Sequence, residues 1–215
     1  MIIKINESDI IKASENIKKY IKNWKEYTHY KSAITFAAIY LKHKDLSIHF
    51  LGKPFGFYGY LAACLERLKI NKNIDIPVFN EKTKGVLVNI NDLKKDLFTI
   101  FIEENKFHEL INNILYISPT LFSTLNVAIG YSEENVNKNY NVFLPDSYLD
   151  SGEFWEGLNY LKGSKIDNLN IIIDFNKTTK QNQLPYQIDE INDILSKFYN
   201  KIYLYDTTII HKVIK

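Results

Sequence analysis

The chain has 215 residues, 46% of them hydrophobic, a composition that excludes a disordered chain and suits one packed α/β core spanning 1–215. Its formal net charge of +2, with Arg67 as the sole arginine, excludes a strongly basic nucleic-acid surface and argues against base readout, which favours arginine. One cysteine, Cys64, allows no internal disulfide; the start lacks the residue order of a signal peptide, and no apolar run approaches the ~18 residues of a membrane helix, so a cytoplasmic protein with no membrane span is expected.

In chain order, Ile10, Ala13, Ile17, Ile21 and Trp24 recur at helical spacing and predict an amphipathic helix over 8–27. A more apolar helix is expected at 32–41. The segment GKPFGFYG reads as a glycine-rich turn, followed by a helix at 58–68 in which Cys64 is a buried small hydrophobe. Residues 71–84, with Pro77, read as an irregular loop, and 85–90 as a short strand. A long helical pattern runs over 92–116, with a break near Asn105. A helix at 123–135, a strand at 141–144, a helix at 152–164 and a strand at 169–174 follow. A polar loop at 177–186 leads to a helix at 188–199 and a strand at 201–205. This alternation predicts a three-layer α/β/α sandwich with a mostly parallel sheet.

The 144–176 stretch carries the chemistry. It sets Asp146 at the end of one strand and Asn176 at the end of the next. The carboxyl ends of parallel strands are where open α/β sheets take phosphates and their metals. A carboxylate with a side-chain amide is a hard-oxygen pair suited to Mg²⁺ or Ca²⁺ bearing a diphosphate. His43, His49, His108 and His211 have no partner at metal-ligand spacing and read as ordinary. No Ser-His-Asp, Cys-His or zinc signature is present. Glu153 and Glu156 share one helical turn, read as exposed or facing an interface.

The same stretch resembles the amino-terminal, diphosphate-binding domain of transketolase, a thiamine-diphosphate enzyme. Pro145-Asp146-Ser147 stands at the family's Gly-Asp-Gly. Ser151-Gly152 stands at Glu-Gly, and Trp155-Glu156 at Trp-Glu. Ile166-Asp167-Asn168-Leu169 stands at Leu-Asp-Asn-Leu, and Asp174-Phe175-Asn176 at the end of the second strand, without a gap. More weakly, 118–130 resembles the loop and helix written Thr-Gly-Ser-Leu-Gly-Gln-Gly, and 28–34 resembles an early Gly-His-Pro-Gly-Gly-Ser-Leu. The segment 45–61 resembles one in which the family carries Ser-Lys-Gly-His. The glycines depart from the pattern. Pro145 and Ser147 flank Asp146; Pro119, Phe122 and Thr124 replace those of the second loop; Lys31 and Ser32 follow His29; and Gly52 or Lys53 falls where a histidine is expected.

The resemblance implies a thiamine-diphosphate-binding domain of the transketolase diphosphate type. It makes Asp146, Asn176 and the main-chain carbonyl of Thr178 the Mg²⁺ ligands. Asp146, Ser147, Asn176, Thr120 and Leu121 become cofactor-binding positions. His29 faces cofactor and substrate, beside the plain reading of a surface histidine. It also implies that the pyrimidine domain, with the glutamate that activates the cofactor, resides in a separately encoded partner subunit. The expected protein is then one subunit of a split, hetero-oligomeric transketolase that moves a two-carbon ketol unit to or from a sugar or aldehyde. The alternative is a non-catalytic scaffold or regulatory relative that has lost the cofactor. An apolar docking surface near Phe122, Trp155 and the helix after Gly152 is expected on the first reading.

Overall fold

The structure is a computed structural model, and it describes residues 1–22, 24, 30–43, 47–52, 54–72, 105–118, 123–177 and 187–214. The strands are β1 (Ile2–Lys4), β2 (Phe50–Leu51), β3 (Tyr116–Ile117), β4 (Tyr140–Pro145), β5 (Leu169–Phe175) and β6 (Ile202–Asp206). The helices are α1 (Glu7–Tyr20), α2 (Tyr30–Lys42), α3 (Pro54–Leu68), α4 (Asn105–Asn112), α5 (Thr124–Glu134), α6 (Gly152–Gly163), α7 (Ile188–Leu195) and α8 (Ile210–Val213), with a 3₁₀ turn at Asp146–Asp150. The strands form one sheet in the order β1-β6-β5-β4-β2-β3, and every pairing is parallel.

Strand periodicity divides the core in two. In β4, Phe143 faces one side, while Val142 and Leu144 face the other. In β5, Ile172 opposes Ile171 and Ile173, and in β6 Tyr205 opposes Ile202 and Leu204. Alternate side chains of a strand point to opposite faces, so both faces of the sheet must be covered. The first face carries Ile10 and Ile17 of α1, Phe36 and Ile39 of α2, Leu61 and Cys64 of α3, Phe107 of α4 and Ile210 of α8. The second carries Leu125 and Ala128 of α5, Phe154 and Leu158 of α6, and Ile191 and Leu195 of α7. The expected three layers are therefore present.

Several boundaries differ from the sequence expectation. The first helix is closed at its start by a reciprocal cap, in which Asn6 Oδ1 accepts from Asp9 N (2.9 Å) and Asp9 Oδ2 accepts from Asn6 N (3.1 Å). It stops at Tyr20, short of 27, because Ile21 turns extended (φ −110°, ψ 106°) and buries its side chain. Helix α3 begins at Pro54, so the expected glycine-rich turn is helical from that residue on. A Cβ on Gly59 would lie 2.0 Å from Ala33 O, and one on Gly56 would lie 2.4 Å from the Phe36 ring. Those glycines serve the close approach of α2 and α3 rather than a turn. Strands β1, β2 and β3 and helix α8 were not expected; each is two to four residues long, too short to carry a period. The 92–116 pattern ends in helix α4 and strand β3, while its part before Asn105, and the strand expected at 85–90, lie outside the described residues. Helix α7 ends at Leu195 instead of 199.

Connections fix where a ligand edge can form. From β4 the chain advances to β5 and β6 in one direction, and from β2 it advances to β3 in the other. The reversal lies between β4 and β2, at whose carboxyl ends stand Asp146 and Gly52. Among the described residues no helix is long and apolar enough to cross a membrane.

Candidate functional site

Asp146 is the first residue beyond β4, and Asn176 the first beyond the neighbouring β5. Parallel pairing, with Pro145 opposite Asp174, brings the two strand ends level. Asp146 Oδ2 accepts the backbone N–H of Asn176 at 3.1 Å and that of Lys177 at 2.6 Å. Lys177 has φ +54°, a left-handed conformation that folds two successive N–H groups toward one oxygen. The sequence-predicted pair is thus brought together, but through the main chain of Asn176 and not side chain to side chain.

The Asn176 side chain turns toward a second acid. Its Nδ2 donates to Asp174 Oδ2 at 2.7 Å. The same oxygen accepts from Thr35 Oγ1 of α2 at 2.6 Å, and Asp174 Oδ1 accepts from Thr207 Oγ1, just past β6. Asp174 is fully buried, so its charge depends on these donors. Strand parity explains the meeting: Ile172 and Asp174 share the face on which α2 lies. The Asn176 carbonyl in turn lies 2.6 Å from His211 Nε2 of α8. A hydrogen bond there requires that Nε2 carry the proton, because the carbonyl can only accept.

Asp174, Thr35, Thr207 and His211 are the residues that sequence reasoning missed. A signal existed for Asp174: it is the one acid in a strand that is otherwise apolar apart from Asn170, and a buried acid must find donors. Nothing local in the sequence marks Thr35, Thr207 or His211, which arrive from other elements. His49 is a structural histidine: its Nδ1 accepts the Asn141 N–H at 3.1 Å, and burial pushes its imidazole below the usual value. Cys64 is buried in α3, and burial pushes its thiol up to about 12, so it is not a poised nucleophile.

Ser147 follows Asp146 in the 3₁₀ turn, and its Oγ is buried without a hydrogen-bond partner. Its neighbour Tyr148 is fully buried between β2 and α5, where its hydroxyl lies 3.3 Å from Gly52 O and 3.1 Å from Thr124 Oγ1. A Cβ on Gly52 would come within 3.0 Å of that hydroxyl. Gly52 therefore admits the tyrosine, which stands at the point of strand reversal. Of the apolar surface expected near Phe122, Trp155 and the helix after Gly152, Tyr160 of α6 is exposed, whereas Trp155 is partly covered. Trp155 is half-buried against Phe154 and Phe198, and its Nε1 donates to Leu149 O at 2.9 Å. His29, Thr120, Leu121, Phe122 and Thr178 lie outside the described residues.

The donor chemistry suits a diphosphate-bearing Mg²⁺. That ion keeps several waters and takes few, hard, protein oxygens. Asp146 and Asn176 supply such oxygens, and the orphan Ser147 hydroxyl beside them is a donor that a phosphate oxygen would satisfy. Among the described residues no group of three or more His, Cys, Asp or Glu could hold a metal ion. Compared with known proteins, the chain matches no family model and no curated sequence.

Proposed function

We propose that this chain is a thiamine-diphosphate-binding domain of the transketolase diphosphate type. It would hold the Mg²⁺-bound diphosphate tail with Asp146, Asn176 and the Thr178 carbonyl, and act together with a pyrimidine domain. The observation that carries this reading is the placement of Asp146 and Asn176 at the carboxyl ends of adjacent parallel strands beside the strand reversal, with the Asn176 backbone N–H donating to Asp146 Oδ2 at 3.1 Å. When bound, thiamine diphosphate supplies the carbanion chemistry for moving a two-carbon ketol unit between sugars or aldehydes. This chain's own part would be to anchor: Asp146 would neutralise the metal, the Ser147 hydroxyl would donate to a phosphate oxygen, and the resemblance assigns His29 to the substrate side.

The test is calorimetric titration of thiamine diphosphate with Mg²⁺ into the chain assembled with a transketolase pyrimidine domain. Binding that depends on Mg²⁺ and falls at least about tenfold in Asp146→Ala is expected. Equal affinity in the two proteins would refute the assignment. A second reading, a non-catalytic scaffold or regulatory subunit, is favoured by Tyr148, whose side chain fills the reversal point that a ligand would enter. That reading predicts no cofactor binding by the folded wild-type assembly and unchanged assembly in Asp146→Ala.

A further inference from the structure

Asn176 can serve a metal only if its amide presents oxygen and not nitrogen. The two ends of an amide have nearly the same shape, so something must choose between them. Here the chooser is visible. Nδ2 lies 2.7 Å from Asp174 Oδ2, and reversing the amide would set its oxygen against a carboxylate oxygen. The carboxylate is itself pinned from two other elements, by Thr35 of α2 and Thr207 beyond β6. With Nδ2 held there, the planar amide directs Oδ1 away from Asp174.

We infer that Asp174 is a positioning residue that fixes the Asn176 amide with its oxygen as the metal-facing donor. Thr35 and Thr207 are the supports that hold Asp174 in place. The inference rests on the Mg²⁺-diphosphate reading of Asp146 and Asn176, and adds to it a reason for a buried acid that would touch neither metal nor cofactor. Partners of this kind, one shell out from a metal, commonly change affinity by 10–100-fold when removed.

The test uses the full chain, Mn²⁺ as probe and inorganic pyrophosphate in place of the cofactor tail. Mn²⁺ affinity is read by electron paramagnetic resonance, and the Asn176 side-chain amide by ¹⁵N NMR. Wild type should bind Mn²⁺ and show one Asn176 amide proton protected from exchange. Asp174→Ala should lose that protection and weaken Mn²⁺ by about 10–100-fold, and Asp174→Asn, whose oxygen can still accept from Nδ2, should restore part of both. Thr207→Val, nearly isosteric, should shift both readouts in the same direction and serves if Asp174→Ala does not fold. A folded Asp174→Ala or Thr207→Val with wild-type Mn²⁺ affinity and an unchanged Asn176 amide, while Asp146→Ala loses Mn²⁺, overturns the positioning role and leaves the site reading standing. Wild-type Mn²⁺ binding that is absent, or insensitive to Asp146→Ala, overturns both.

Discussion

Two glycine-to-alanine substitutions should change stability in opposite directions. Gly59 and Gly130 both lie inside helices, where alanine is intrinsically favoured by about 1 kcal/mol. At Gly130 a Cβ meets nothing within 4 Å, so that gain should be kept. At Gly59 the Cβ would fall 2.0 Å from Ala33 O, 2.9 Å from Ala33 C and 3.0 Å from Ala37 N. These are backbone atoms of α2, which cannot rotate aside, so the helices must separate. Overpacking of this kind costs roughly 1–3 kcal/mol, and a backbone obstacle puts it at the upper end. The net expectation is a loss of about 1–2 kcal/mol for Gly59→Ala and a gain of up to about 1 kcal/mol for Gly130→Ala. Urea unfolding followed by circular dichroism should place the midpoints on opposite sides of wild type with unchanged slopes. A Gly59→Ala protein as stable as wild type would show that α2 and α3 do not pack at this distance.

On the proposed site, Ser147→Gly should retain Mg²⁺-dependent diphosphate binding, while Ser147→Val should lose it, because a branched apolar side chain would occupy the place of a phosphate oxygen; calorimetry with pyrophosphate reads the difference, and equal binding would place the diphosphate elsewhere. His49 resists protonation in the folded protein, since burial lowers its pKa and its Nδ1 must stay an acceptor for Asn141 N. Its contribution is therefore complete above its ordinary value of 6.5 and is lost as pH falls below it; His49→Gln should flatten that limb of a denaturant-midpoint titration, and an unchanged slope would refute the assignment. Glu66 is held down to about 2, first by Lys69 and also by Tyr20 and Lys19, so its contribution stands above 4.5 and fades as pH falls toward 2. Glu66→Gln should remove that acid dependence in the same titration, and its persistence would show that other carboxylates carry it.

Local sequence determined the frame around the site. The runs at 141–144 and 169–174 are long and apolar enough to be buried parallel strands, and they emerge as β4 and β5 with one or two residues added. The helices at 123–135 and 152–164 were legible for the same reason, since each carries a buried stripe long enough to set a period. That Asp146 and Asn176 stand at two strand ends follows from those strands alone. Tertiary structure decided the rest. Strands of two or three residues such as β1, β2 and β3 carry no readable period, and they form because a neighbouring strand offers a ladder. GKPFGFYG reads locally as a turn, yet from Pro54 on it is helix, and its Gly56 and Gly59 serve the close approach of α2. Besides Asn176, the donors to Asp174 come from 139 residues before it and 33 after it, beyond the reach of any local pattern. Burying a carboxylate demands such donors, but the identity of the residues that answer is fixed only when the layers close over the sheet.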